Sequence, residues 1–180
     1  QKIGTVIKQD ILENQVNTIY LGIGSNLGNK RFNIEKAKYL LESNSINIIN
    51  CSSYYESPSW PDNKYPPFYN IVIKAKTMLT HIKLFLLIKK VEKSLGRVIT
   101  KKNSPRTCDI DIIDFNNKII FFKTNSDYVE IPHSRLTERN FVLIPLYEID
   151  KKWIHPINKK KIGDLINKLE VKSLSAIKQI

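Results

Sequence analysis

Cysteine is scarce in this 180-residue chain: Cys51 and Cys108 stand far apart and form no C-x-x-C pattern. Neither a disulfide framework nor a cysteine zinc site is indicated, and both thiols are expected to be reduced and packed. Long apolar runs are also missing. The longest is LFLLI at 84–88, far short of the ~18 residues that a membrane helix needs. A basic segment leading into an apolar stretch and a cleavage site is absent from the N-terminus, so no secretory signal is read and a cytoplasmic location, away from membranes, is expected. The chain opens on Gln1, as a segment cut from a longer polypeptide would. Arginine is rare too, standing only at 31, 97, 106, 135 and 139. The 29 Lys+Arg against 17 Asp+Glu, a formal net charge of +12, are therefore nearly all lysine. Lysine is spread along the chain with asparagine and isoleucine, which reads as a solvated surface under a coding bias and not as a basic arm. Such a field still concentrates an anionic ligand. Against it each arginine stands out, because only the planar guanidinium grips a phosphate with two parallel hydrogen bonds.

What is present is ample apolar residue for a core, 42% of the chain, which excludes wholesale disorder and suits one globular domain over 18–180. Residues 1–17 read as an N-terminal extension or linker. TIYLGIG at 18–24 predicts a buried strand, and GSNLGNK turns the chain into a helix whose Ile34, Ala37, Leu40 and Leu41 recur at helical spacing. INIINCSSYYES at 46–57 predicts one strand, followed by a proline-rich loop, PSWPDNKYPPF. YNIVIKAKT at 69–77 predicts a strand and 80–95 a helix stopped by Gly96. CDIDIIDF at 108–115 predicts a strand that turns at Asn116-Asn117 into KIIFFKT as its hairpin partner. A helix stopped near Pro145 and a final amphipathic helix from Ile162 complete the order. The succession points to α+β, a mainly antiparallel sheet with helices on both faces.

The strongest chemical signal is the alternation in that last strand. Side chains on a strand alternate faces, so Asp109 and Asp111 project together about 7 Å apart while Ile110 and Ile112 enter the core. Two like charges on one face repel, and a divalent cation relieves the repulsion. Oxygen ligands with no His or Cys on their own face of the strand favour Mg²⁺, which commonly arrives with phosphates. The competing reading is an exposed strand face paired with lysines. Asp114, at the strand end, suits a turn cap. Arg97 and Arg106 precede this strand, and His133 and Arg139 follow it, supplying the parts of a site for phosphoryl transfer. The glycine turn Gly22-Ile-Gly24-Ser-Asn-Leu-Gly28 fits neither a Walker loop, which needs four residues after Gly24 where three stand and a Ser or Thr after the lysine where Arg31 stands, nor a Rossmann turn, whose second strand would end in a carboxylate. Trp60, Phe68, Tyr69 and Phe141 lie in loops or at element ends, where paired aromatics can sandwich a flat heterocycle and an amide such as Asn70 can read its edge. Any one of them alone reads more simply as core.

Six segments in one order, GSNLG, Glu56-Ser57-Pro58, Tyr69-Asn70, Glu92 to Arg97, PRTCDIDI at 105–112 and IPHSRLTERNFVLIPL at 131–146, resemble the 6-hydroxymethyl-7,8-dihydropterin pyrophosphokinases of folate biosynthesis over roughly 18–156. The resemblance implies a ferredoxin-like core, ATP as co-substrate, two Mg²⁺ ions, and transfer of the ATP diphosphate to the pterin hydroxymethyl group. It assigns Asp109 and Asp111 to the metal; Gly24, Ser57, Pro58, Trp60, Phe68, Asn70 and Phe141 to the pterin; and Glu92, Arg97, Arg106, Ile112, His133 and Arg139 to the nucleotide. Arg97 and Arg106, with the two aspartates, would carry catalysis. Members fused to neighbouring folate enzymes exist, so fusion to or association with dihydropteroate synthase is implied too. The chain departs from the family pattern between Arg97 and Arg106, where Ile99 replaces a second arginine and Asn103 an aromatic, with Lys101 and Lys102 supplying charge. The aromatic-proline loop from Trp60 to Pro67 is longer than usual. Two alternatives remain beside this reading: a nucleic-acid-binding module, which the charge would serve but for which no recognised motif is seen, and a catalytically weakened structural domain of a folate-enzyme fusion.

Overall fold

The computed structural model describes residues 15–59, 64–97, 104–124 and 128–180. Strand β1 (Asn17–Ser25) leads through Gly28, whose φ of +67° suits glycine, into helix α1 (Lys30–Glu42), where the Asn29 side chain caps the start by accepting from the Phe32 amide. After β2 (Ile46–Cys51) and β3 (Tyr55–Ser57) comes the long strand β4 (Phe68–Thr77). Thr80 caps helix α2 (His81–Ser94), and β5 (Asp109–Phe115) closes the main sheet. The elements β1-α1-β2-β4-α2-β5 form a βαββαβ unit with neighbours β5-β1-β4-β2, all antiparallel, which is the ferredoxin-like arrangement.

Alternation along β1 and β4 serves two cores. Ile19, Leu21, Ile23, Ile71, Ile73 and Ala75 face one side and bury Ile34, Ala37 and Leu41 of α1 with Leu84, Ile88 and Val91 of α2. Tyr20 and Val72 face the other side, against Val142, Leu143 and Leu146 of α3 (Asn140–Ile149) and Ile162 and Leu165 of α4 (Ile162–Ile166). Each buried Ile, Leu or Val among them contributes roughly 1.5–3 kcal/mol, so the sheet is held from both faces. In β5 the register shifts by one residue, Leu21 lying opposite Ile112 and Tyr20 opposite Asp114, so that Ile113 is the extra residue of a bulge. Ile110, Ile112 and Phe115 consequently reach the first core, while Asp114 emerges on the opposite face, where the Trp153 indole donates to it at 2.7 Å. Asp114 also accepts from the Asn117 amide at 2.7 Å, the expected turn cap.

Four expectations need correction. Strand 46–57 is two strands, because Ser52 leaves the β2 line and bonds Val72 through both its amide and its hydroxyl. The turn at Asn116-Asn117 is real, with φ of 55° and 53°, yet the next strand does not pair with β5. Strand β6 (Ile120–Lys123) pairs instead with β7 (Tyr128–Ile131), laying Phe122 edge-on against Phe85 of α2. Helix α3 runs through Pro145: the ring removes a hydrogen bond to the Phe141 carbonyl and crowds it, at roughly 3 kcal/mol, and burial of Val142, Leu143 and Leu146 offsets this. The final helix is broken into α4, α5 (Val171–Ser175) and the strand β8 (Lys178–Gln179), which pairs with β3. Among the described residues no helix is long and apolar enough to cross a membrane. Both cysteines are free thiols, Cys108 fully buried and Cys51 half-buried.

Candidate active site

The end of β1 forms the floor of an open cleft of about 640 Å³. Gly22 and Gly24 lie opposite Asp111 and Asp109 on β5, and Gly24 lies opposite Asn70 on β4. A methyl group on Gly24 would stand 3.0 Å from the Asn70 carbonyl oxygen and 3.4 Å from the Phe68 ring, so this glycine is what lets both approach. The Asn70 amide nitrogen donates to the Ser57 hydroxyl at 2.9 Å, and both residues are buried. Phe68 at the start of β4 and Phe141 in the first turn of α3 supply aromatic walls, and Pro58 lines the cleft beside Ser57.

Above the floor stand the carboxylates, each held by guanidinium. Arg97 donates to Asp109 at 2.8 Å, the Arg106 Nε lies 3.4 Å from the other Asp109 oxygen, and Arg139 donates to Asp111 at 2.7 Å. The Arg106 and Arg139 groups also lie over the Phe68 and Phe141 rings, at 5.7 and 5.8 Å. Arg97 is anchored from below by Glu92, which is 2% exposed and accepts the Ile110 amide at 2.8 Å. Burial raises the Glu92 pKa, against the pull of Lys89 and Arg97. Burial works against the Arg97 charge, but Asp109 and Glu92 outweigh it and raise its pKa. Both ring nitrogens of His133 face N–H groups, from the Arg135 amide at 3.0 Å and the Arg139 guanidinium at 3.1 Å. Burial, then Arg139, lowers its pKa, so the ring is neutral at pH 7.

A second, open cavity also reaches Asp111. Phe85, Ile88, Ile112 and Val129 give it apolar walls, and Lys89 and His133 are among its polar lining. Asp111 lines both cavities.

The predicted residues thus fall into three groups. Gly24, Ser57, Pro58, Phe68, Asn70, Arg106, Asp109, Asp111, Arg139 and Phe141 line the first cleft; Ile112 and His133 line the second; Glu92 and Arg97 reach the site through Asp109. Trp60 and the substituted positions Ile99 and Asn103, with Lys101 and Lys102, lie outside the described residues. Sequence reasoning missed Gly22, Arg135 and Asn26. Asn26 is the junction of the site: its side chain accepts from the Arg106 amide at 2.8 Å and donates to the Pro66 carbonyl at 3.1 Å. An amide directly after the first strand, inside GSNLG, was the available signal. The two aspartates fit a Mg²⁺ ion that brings its own oxygens. They share one face and keep side-chain exposures of 26% and 40%, whereas no cluster of three His, Cys, Asp or Glu that could hold a metal alone occurs among the described residues.

Comparison with known proteins agrees with this geometry. An Aquifex aeolicus 2-amino-4-hydroxy-6-hydroxymethyldihydropteridine pyrophosphokinase is 41% identical over 147 residues, 82% of this chain and 89% of that one. A Pneumocystis carinii folic acid synthesis protein, fol1, is 36% identical over 84% of this chain, which spans only 20% of it. A crystal structure of a Plasmodium falciparum HPPK-DHPS triple mutant with pteroate superposes with a TM-score of 0.75 at 18% identity, over 93% of this chain and 47% of that one, a likeness of fold. The model of the 7,8-dihydro-6-hydroxymethylpterin-pyrophosphokinase (HPPK) family matches residues 20–151, and with the fold, the paired aspartates and these relatives it shows that the chain belongs to the HPPK family.

Proposed function

We propose that the protein transfers the diphosphate of ATP to the hydroxymethyl group of 6-hydroxymethyl-7,8-dihydropterin, releasing AMP and the dihydropterin diphosphate for folate biosynthesis. The observation that carries this is the meeting of two different cavities at Asp111. One has aromatic walls and a fixed amide, suited to a flat heterocycle with hydrogen-bonding edges. The other is apolar with a lysine and a neutral histidine, suited to a nucleoside and its phosphates.

In this reading Phe68 and Phe141 stack on the pterin, and Asn70, oriented by Ser57, bonds its edge over the bare floor at Gly24. The hydroxymethyl oxygen is thereby aimed at the β-phosphorus. A bond forms between them, the bond from that phosphorus to the α,β-bridging oxygen breaks, AMP leaves with that oxygen, and the hydroxyl proton passes to solvent. A loose phosphoryl transition state needs little activation of the nucleophile, so positioning and charge dominate. Arg106 and Arg139, freed from the aspartates, neutralise the charge that develops on the phosphate oxygens. Asp109 and Asp111 would hold the two Mg²⁺ ions together with phosphate oxygens, and bound Mg²⁺ supplies charge neutralisation of the triphosphate. Glu92 keeps Arg97 aimed at this pair. A cytoplasmic site of action and fusion or association with dihydropteroate synthase are parts of the proposal, the second supported by the fused relatives.

The deciding measurement is pterin-dependent release of AMP, separated from ADP, with Mg²⁺ and with chelator. AMP that requires both pterin and Mg²⁺ is expected. ADP, or AMP independent of pterin, overturns the assignment, and tight pterin binding without turnover would identify a weakened structural domain.

A further inference from the structure

The family match ends at residue 151, yet the segment beyond it closes a ring of hydrogen bonds that takes in the elements carrying two walls of the aromatic cleft. From α4 the chain crosses the first turn of α3, where the Asn140 side-chain amide donates to the Ser173 carbonyl at 2.6 Å. It then runs to the edge of the sheet and pairs with β3, placing Gln179 opposite Tyr55 and Lys178 opposite Glu56. The Ile180 backbone amide donates to the Tyr54 carbonyl at 3.0 Å, and the Gln179 side-chain Nε2 donates to the Ser53 hydroxyl at 2.9 Å. The far end of α3 completes the circuit, since the Glu148 carboxylate accepts from the Ser53 amide and hydroxyl and from the Tyr55 hydroxyl, at 3.0, 2.7 and 2.9 Å.

Both walls of the cleft hang on this ring. Asn140 immediately precedes Phe141, and it is buried, 8% exposed, although it sits in the first turn of a helix. Strand β3 has only three residues, and its last, Ser57, orients Asn70. So short a strand is poorly specified by a single neighbour. β4 holds it on one side and β8 on the other. The distance between Phe141 and the Ser57-Asn70 pair is therefore fixed twice, through the sheet and through the C-terminal segment.

We propose that residues 171–180 act as a strap that sets the width of the pterin cleft, with Asn140 and Gln179 as positioning residues for pterin binding. The inference rests on the reading of the first cleft as the pterin site. The second cavity is built from α2, β5 and β7, which the strap does not touch among the hydrogen bonds described, so the nucleotide is spared.

The test uses the full chain in two variants that act at opposite ends of the strap. Asn140→Leu keeps size and helix but removes the donor to Ser173, and Gln179→Ala removes the bond to Ser53. The readouts are the dissociation constant of 6-hydroxymethyl-7,8-dihydropterin with a non-hydrolysable ATP analogue present, the KM for ATP, and the melting temperature. Roughly three- to tenfold weaker pterin binding with an unchanged KM for ATP is expected for Asn140→Leu, from the loss of one hydrogen bond and the freedom it leaves, with a smaller loss of the same kind for Gln179→Ala. Unchanged pterin affinity in both variants, or equal weakening of pterin and ATP, would overturn the strap, whatever happens to the melting temperature. Failure of the unaltered protein to bind pterin would instead overturn the reading of the cleft. Should Asn140→Leu not fold, Gln179→Ala alone decides between these outcomes.

Discussion

Placing a methyl group on Gly24 separates the demands of the site from those of the fold. The new Cβ would stand 3.0 Å from Asn70 Oδ1 and 3.4 Å from Phe68 Cδ1, so Asn70 must retreat by a few tenths of an ångström from a position fixed by Ser57 at 2.9 Å. If Asn70 bonds the pterin edge as proposed, the amide then loses its aim, a hydrogen bond worth about 1 kcal/mol and hence about fivefold in affinity. Gly24→Val thrusts two more methyls over the floor and is expected to weaken pterin binding by more than about tenfold, while ATP binding in the neighbouring cavity stays as it was. Stability should respond differently. Gly24 is the second-last residue of β1 and is paired on both sides, where a side chain gains roughly 0.5–1 kcal/mol of chain entropy that offsets the tight contact, so the alanine variant should melt within about 4 °C of the parent. Pterin titration by intrinsic fluorescence, ATP titration and a thermal melt together make the test. Undiminished pterin affinity in Gly24→Val would refute the placement of the heterocycle on this floor.

Asp111→Ala should remove nearly all turnover, at least about 10²-fold given the several kcal/mol that a correctly held metal supplies. Its ion pair with Arg139 is exposed on the aspartate side only, 40% against 13%, so losing the carboxylate should cost about 1–3 kcal/mol of stability and leave the fold in place; turnover close to the parent's would break the metal assignment. Phe141→Ala should raise the pterin dissociation constant more than that of ATP, and equal effects in parallel titrations would count against stacking. Asp150 offers a pH test outside the site. Burial raises its pKa, but the Tyr20 hydroxyl at 2.6 Å and Lys74 at 3.0 Å prevail and hold it below the usual carboxylate value. A depressed folded pKa stabilises above the unfolded value, about 3.9, and that contribution is lost as pH falls through the folded pKa. Urea midpoints of the parent and Asp150→Asn should therefore differ most at neutral pH and converge in acid; a gap that stays constant with pH would show the pair to be inert.

Much of the frame was legible because its signals are local. Strands β1 and β4, helices α1 and α2 and the alternation of β5 follow from periodicity and caps, and the paired aspartates and two of the scarce arginines, Arg106 and Arg139, come together at one cleft. What could not be read was partnership. Asn116-Asn117 encodes a turn but not the strand's neighbour, which is decided by burial of Phe122 against Phe85. Nothing in INKLEVKSLSAIKQI announces that Asn140, far back in the chain, takes a carbonyl of its helical pattern, or that β3 takes its last residues as a strand. Nor did the sequence foretell that the aspartates rest against three guanidiniums, Arg106 from just before the strand and Arg97 and Arg139 from other segments.

The bulge at Ile113 bears on how such a strand tolerates change. With strict alternation, Asp114 would share a face with Ile110 and Ile112 and enter the apolar layer beneath α2, and Phe115 would join the aspartates. One doubled isoleucine advances the phase, so that Asp109, Asp111 and Asp114 all emerge on one side and every large apolar group but Ile113 on the other. The spacing of DIDIIDF is thus a reading frame: replacing a letter perturbs one contact, whereas dropping one exchanges an acid for a ring across the sheet and costs the strand both of its faces at once.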